Sequence, residues 1–169
     1  MLGSVIPSSR WLVRRTLTQV DWAQARLIVE YGPGLGTFTG KILEQLSPEG
    51  RLLAFETHPD FVRSLRRDLP DSRLEVIHGS AEHVESALRE RELGPADYVL
   101  SGIPFSLMPD PVRDGILRST RAVLDPQGAF LVYQFSPSIR PHLKNVFSEV
   151  TWEFEIRNFL PAMVFNCHP

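Results

Sequence analysis

Three glycines at alternate positions, Gly32, Gly34 and Gly36, follow the apolar run Arg26-Leu27-Ile28-Val29-Glu30 and Tyr31. Glycine lets a backbone turn through left-handed conformations and approach a ligand closely, so that its N–H groups can surround a polar group. The preceding run suits a buried parallel strand over 27–31. Thr37 and Thr39 are placed to cap a helix over roughly 38–46. A strand, a glycine turn and a helix start make the place where doubly wound sheets bind nucleotides. A dinucleotide fingerprint starting at Gly32 would need glycine at position 37, which is Thr37. The observed spacing is instead Glu30-x-Gly32-x-Gly34-x-Gly36. A plain turn without a ligand is the competing reading.

Carboxylates stand where a nucleoside would need them. Glu56 ends a second apolar run about 20 residues beyond the loop, where an acid accepts hydrogen bonds from both ribose hydroxyls; a solvated strand-end acid is the alternative. Thr57 and His58 follow, and His58 is placed to start the next helix. Glu30 lies inside the loop strand, where a buried carboxylate is costly unless paired. After the third apolar run comes Gly79-Ser80-Ala81-Glu82. Ser80 there either contacts a base or caps the helix over 82–92.

The elements that position these residues alternate almost without exception. An amphipathic helix runs from Ser8 or Ser9 to about Trp22, before the strand at 27–31. Strands are predicted at 51–56, 74–78, 96–100 and 129–135, with helices at 59–69, 81–92, 110–124 and 137–147. Two last strands, 149–156 and 160–166, are joined by a short turn. This pattern predicts an α/β fold: a Rossmann-like, doubly wound sheet of seven strands, mostly parallel, with one antiparallel strand from a C-terminal hairpin. Residues 1–26 form an N-terminal amphipathic helix or lid, and 27–169 the main domain, one compact unit overall.

Composition narrows the partners. The 169 residues are 43% apolar and 22% charged, as in a globular protein with a real core. A net charge of −2 gives no general basic field for nucleic acid. Sixteen of the 18 basic residues are arginine, which carries no functional reading. The single cysteine, Cys167, excludes an internal disulfide and fits a reducing cytoplasm. No apolar run reaches the roughly 18 residues of a membrane span, and an uninterrupted signal-peptide stretch is absent from the N-terminus. The five histidines show no ligand spacing, so no metal site is expected.

The spacing Glu30-x-Gly32-x-Gly34-x-Gly36, with Glu56 ending the second strand, resembles the first motifs of class I S-adenosyl-L-methionine-dependent methyltransferases. The resemblance implies that Glu30 orders the loop and attracts the methionine ammonium of the cofactor. Tyr31, the three glycines, Thr37, Glu56, Thr57, His58, Gly79, Ser80, Ala81 and Ser101 would then line the S-adenosyl-L-methionine site. The loop after the fourth strand, Ser101-Gly102-Ile103-Pro104-Phe105, faces the methyl group in that superfamily. Amino-directed adenine enzymes carry Asn/Asp-Pro-Pro-Tyr/Phe there, and rRNA adenine dimethylases Asn-Leu-Pro-Tyr. The string Ser101 to Pro109 is more similar to bacterial phospholipid N-methyltransferases. So are Gly3-Ser4-Val5-Ile6-Pro7-Ser8-Ser9-Arg10 and Asn158-Phe159-Leu160-Pro161-Ala162-x-Val164. The membrane-binding helix that usually precedes the first of these is expected to be short or absent.

The implied chemistry is N-methylation of a phospholipid amine, phosphatidylethanolamine first. Ser8 and Ser9 at a helix start, with Arg10, suit a phosphate. Trp11, Leu12, Leu17 and Trp22 give the basic helix an apolar face for a lid or a peripheral contact at the inner membrane face; a packing helix with a solvated basic face is the plain alternative. Ser101, Tyr133 and Asn158 are candidates to orient the amine or take its proton. Phe105 and Phe159 form either a cation–π wall or ordinary core. An rRNA adenine dimethylase-like activity, a small-molecule amine methyltransferase and a non-catalytic cofactor-binding module remain as alternatives; nucleic acid is the least expected partner, and oligomeric state is unread.

Overall fold

A computed structural model describes residues 8–169; the Gly3 to Pro7 part of the N-terminal motif lies outside the described residues. Seven strands form one sheet: β1 (Leu27–Tyr31), β2 (Arg51–Glu56), β3 (Leu74–His78), β4 (Ala96–Ser101), β5 (Leu124–Gln134), β6 (Glu149–Glu155) and β7 (Ala162–His168). Their order is β3-β2-β1-β4-β5-β7-β6. Strands β1 to β5 pair in parallel, and β7 lies antiparallel between β5 and β6. Six helices cover the faces: α1 (Arg10–Leu17), α2 (Thr37–Gln45), α3 (Pro59–Asp68), α4 (Val84–Glu90), α5 (Asp110–Val123) and α6 (Arg140–Val146).

Every residue of β1 is buried, as its uninterrupted apolar run requires for a strand covered on both faces. Alternation then divides the core. Leu27, Val29 and Tyr31 pack toward Val84 of α4 and Ile116 and Leu117 of α5. Ile28, Leu52 and Leu100 face Leu12 and Val13 of α1 and Phe38 and Ile42 of α2. The apolar face of α1, expected to serve a lid or a membrane, is thus packed into the core: Leu12 is fully buried and Leu17 is 3% exposed. Register brings strand ends level, with Tyr31 opposite both Phe55 of β2 and Ser101 of β4.

The departures from expectation have local causes. Helix α1 stops at Leu17, not Trp22, because the chain must turn into β1; Trp22 Nε1 donates to the Leu17 carbonyl, and Asp97 accepts from the Arg26 and Leu27 amides. Helix 81–92 begins as a 3-10 turn over Ala81–His83, and α6 is likewise preceded by one over Pro137–Ile139. Strand β5 starts five residues early, with a register shift opposite Ala96 and Tyr98, where Gly128 passes close to the Asp97 carbonyl. Strand β7 begins two residues late, since Pro161 has no N–H for the ladder and Asn158 donates to the Leu160 carbonyl to hold the turn.

Candidate functional site

The glycine loop leaves β1 and turns into α2 with Gly32, Gly34 and Gly36 all at positive φ, 69°, 55° and 79°. At Gly32 an added Cβ would lie 2.6 Å from Ile103 Cγ2, so the loop after β1 seats directly against the loop after β4. Gly36 is the N-cap of α2, and no side chain caps that helix end. The expected capping by Thr37 and Thr39 does not form. Thr39 is fully buried and its hydroxyl donates to Glu30 Oε2 at 2.8 Å. A glycine in the left-handed region takes the cap position and leaves the first amides of α2 pointing outward.

Glu30, 4% exposed, has its hydrogen bond from Thr39 and no neighbouring cation among the described residues. Burial pushes its carboxyl up to about 7; the Glu56 charge adds to this, and the Thr39 hydrogen bond opposes it. Glu56 closes the other side of the loop. Its Oε2 accepts from the Gly34 amide at 3.1 Å, and its Oε1 from the His58 amide at 2.8 Å. Each carboxylate oxygen has a second acceptor position. The β2 carboxylate thus bridges the loop and the α3 start while keeping capacity for two hydroxyls.

The residues expected to face an adenine have local partners. His58 caps α3, accepting the Asp60 amide, so its helix-start reading describes its place. Thr57 offers its carbonyl to His78 Nε2. The Gly79 amide donates to the Glu56 carbonyl. Ser80 caps the 3-10 turn of Ala81–His83 and bonds Glu82, so its hydroxyl is engaged without a ligand.

In the loop after β4, Gly102 donates its amide to the Tyr31 carbonyl, and Ile103 N approaches Ser101 Oγ at 3.4 Å. A side chain at 102 would collide with the Tyr133 hydroxyl. The Tyr133 ring stacks on Phe38 at 5.0 Å and 11°. Desolvation pushes its phenol up to about 12 against a hydrogen bond with Ser8. Ser9 caps α1, accepting the Leu12 amide, and its own amide donates 2.8 Å to Asn158 Oδ1. Ser8, Ser9, Gly102 and Asn158, read from three separate motifs, therefore converge with Tyr133 of β5. Arg10 instead stacks on Trp11. Phe105 sits apart from these groups: it is fully buried, edge-on to Phe130 at 6.3 Å. Pro104 opens the short turn that carries it inward. Phe159 is 77% exposed. Its wall with Phe105 does not form.

Two contributors escaped the sequence reading. Gln134 ends β5 and its Nε2 donates to the Ile103 carbonyl at 2.8 Å, fixing the β4 loop. Phe38 supplies the platform under Tyr133. Neither has a local signal, because each acts on a partner far along the chain.

A doubly wound sheet in this order, with a triple-glycine turn, an uncapped helix start and a carboxylate ending β2, is the arrangement of Rossmann-like S-adenosyl-L-methionine-dependent methyltransferases, and the family match places the chain among them. The open backbone at Gly32 and Gly34, the unsatisfied α2 amides and the spare acceptors of Glu56 fit that cofactor. The chain belongs to the methyltransferase domain family, whose pattern it matches over residues 28–128. It is 33% identical over 168 residues to an ornithine lipid N-methyltransferase of Singulisphaera acidiphila, covering 98% of this chain and 88% of that protein. Among solved structures, a precorrin-6Y C5,15-methyltransferase of Geobacter metallireducens shares the fold with TM-score 0.75 at 13% identity, covering 98% and 91% of the two chains. The N-methyltransferase NodS of Bradyrhizobium japonicum, in complex with S-adenosyl-L-homocysteine, gives TM-score 0.73 at 13% identity over 94% and 86%.

Proposed function

We propose that this enzyme methylates the primary amine of a lipid headgroup, an ornithine lipid or phosphatidylethanolamine. The observation that carries the reading is the Gly102–Tyr133 pair. Where adenine-directed relatives carry an amide side chain to hold a planar exocyclic amine, this chain has none, and a tyrosine hydroxyl from β5 fills the space. The similarity to an ornithine lipid N-methyltransferase over nearly the whole chain supports the same class of acceptor.

S-adenosyl-L-methionine supplies an activated methyl group, so the protein must chiefly align donor and nucleophile and keep water out. Gly32, Gly34 and Gly36 let the loop backbone approach the methionine portion, Glu30 attracts its ammonium, and Glu56 holds the ribose. The amine must be neutral to attack, and its pKa resembles that of lysine, near 10. A phenol raised to about 12 stays protonated at neutral pH, so Tyr133 acts by orienting the amine and leaves the proton to solvent. The Ser101 carbonyl and Asn158 are the other groups positioned to accept an amine N–H. Ser8, Ser9 and Arg10 form the headgroup end of the site.

The test is transfer of labelled methyl from S-adenosyl-L-methionine to mixed vesicles carrying either ornithine lipid or phosphatidylethanolamine. Label in one lipid names the acceptor, and the mono-, di- and trimethylated products count the steps. Absence of label in both lipids, with cofactor bound, would refute the proposal.

A further inference from the structure

The lipid reading requires the site to reach an amine held in a bilayer, and the helix expected to provide that contact has buried its apolar face. The structure leaves a different set of large apolar side chains in solvent: Leu35, Leu107, Phe135, Ile156, Phe159 and Leu160 are 48–77% exposed. Single exposed apolar residues are ordinary. Their placement is not. Leu35 follows β1, Leu107 follows β4, Phe135 follows β5, and the last three follow β6. Because β7 is antiparallel to both β5 and β6, β6 runs in the direction of β1 to β5. All six therefore stand at the carboxyl edge of the sheet, the edge that holds the glycine loop and Gly102. The two remaining exposed aromatics, Trp152 and Phe154, alternate along β6 on the face that leads to Ile156.

Charge at this edge has the matching sign. The segments 32–36, 102–109, 135–139 and 156–161 contain no acidic residue and one arginine, Arg157, which pairs with Glu155 at the end of β6 while its side chain stays half exposed. Arg10 joins them, because α1 begins at the β6–β7 connection through the Ser9–Asn158 hydrogen bond. Both guanidiniums stack on Trp11, Arg10 at 4.7 Å and Arg157 at 4.3 Å. An apolar indole in contact with two guanidiniums makes an amphipathic cluster, as interfacial anchors are. Of the exposed acids at this edge, Asp60 and Glu82 follow β2 and β3 at its other end, and Asp110, which opens α5 after the β4 loop, pairs with Arg113.

We propose that the loops after β1, β4, β5 and β6 are the surface by which this enzyme seats on an anionic lipid bilayer. Leu107, Phe135, Ile156 and Phe159 enter the headgroup–acyl boundary, Arg10 and Arg157 meet lipid phosphates, and the reacting centre opens onto the headgroup layer. Apolar insertion and cationic attraction together are what hold a protein at such an interface. The inference rests on the lipid-amine reading, and the experiment separates the two.

Flotation with phosphatidylglycerol-containing and with purely phosphatidylcholine vesicles is compared for the wild type and the triple variant Leu107→Ser, Phe135→Ser, Ile156→Ser. Phe159 is left intact because of its place beside Asn158. The wild type is expected to float with anionic vesicles, and the triple variant to lose about tenfold or more of that binding. Its S-adenosyl-L-methionine affinity and its turnover of a water-soluble short-chain amino lipid should stay within about twofold, while turnover of the vesicle substrate falls with binding. Equal flotation of variant and wild type would overturn the proposal. So would a wild type that methylates the soluble amine without binding vesicles, which leaves the lipid-amine reading standing. Self-association abolished by the triple variant, without vesicle binding, would overturn it in favour of a second copy of the chain. Vesicle binding lost in the variant, with no lipid amine methylated by either protein, would support the docking surface and sink the lipid-amine reading.

Discussion

The hydroxyl of Tyr133 lies in the space that any side chain at position 102 would need. Gly102 is not one of the positive-φ glycines, so its lack of a side chain answers to this contact and not to backbone conformation. Gly102→Ala should push Tyr133 off its Phe38 platform. We expect kcat to fall by about tenfold or more while the Kd for S-adenosyl-L-methionine changes by less than about threefold, as for a loss confined to the reacting end. Calorimetric titration and labelled-methyl transfer on the same preparation check this. Equal loss of cofactor affinity would place Tyr133 at the donor, not at the acceptor.

Glu56 serves both the loop and the implied ribose. Glu56→Ala removes the acceptor of the Gly34 and His58 amides and the two spare acceptor positions. Cofactor affinity should weaken by about 100-fold, the equivalent of about two charge-assisted hydrogen bonds. Glu56→Gln should recover part of it. A Glu56→Ala protein that binds the cofactor as wild type does would defeat the ribose assignment.

The Glu30 carboxyl sets a pH dependence of definite sign. Its folded pKa is raised from 4.5 to about 7, so its contribution to stability is fully present below about 4.5 and is lost as pH rises through about 7. The shift corresponds to about 3 kcal/mol at most. Glu30→Gln should therefore raise the melting temperature of the cofactor-free protein at pH 8 more than at pH 5. Binding should show the opposite trend, because only the ionised group attracts an ammonium. Wild-type affinity for S-adenosyl-L-methionine should rise between pH 6 and 8, and that of Glu30→Gln should stay flat.

Asn158 ties the two ends of the chain together, accepting from the Ser9 amide and donating to the Leu160 carbonyl. Asn158→Ala should cost about 1 kcal/mol of stability per lost bond and speed amide exchange at the start of α1. Asn158→Asp keeps the acceptor and should restore α1 protection. If exchange is unchanged in Asn158→Ala, the α1 start is held by Arg15, whose ion pairs with Glu153 and Glu155 join the same helix to β6.

Much of the site could be read before any coordinates, because its signals are local. Gly32, Gly34 and Gly36 answer to backbone conformation within five residues, and Glu56 to the end of its own strand. Apolar runs and turn residues sufficed for all seven strands within a few residues, the worst start being that of β5, where the register shift opposite Ala96 depends on another strand. Packing gave a local partner to each side chain for which the sequence allowed two roles. His58 and Ser80 cap the segments they precede, Thr39 turns from cap to partner of Glu30, and Phe105 goes into the core against Phe130.

The sequence by itself determined a parallel α/β sheet with a cofactor loop after its first strand, since period, glycine spacing and strand-end acids are properties of short segments. Tertiary structure alone decided that Tyr133 would meet Gly102, that Ser9 would reach Asn158 across 149 positions, and that α1 would bury Leu12 and Leu17 of its apolar face. These outcomes depend on strand order and register. Placing β7 between β5 and β6 turns the loop after β6 to the edge that the loops after β1, β4 and β5 already share, and a pattern read along the chain holds no record of which loops will share it.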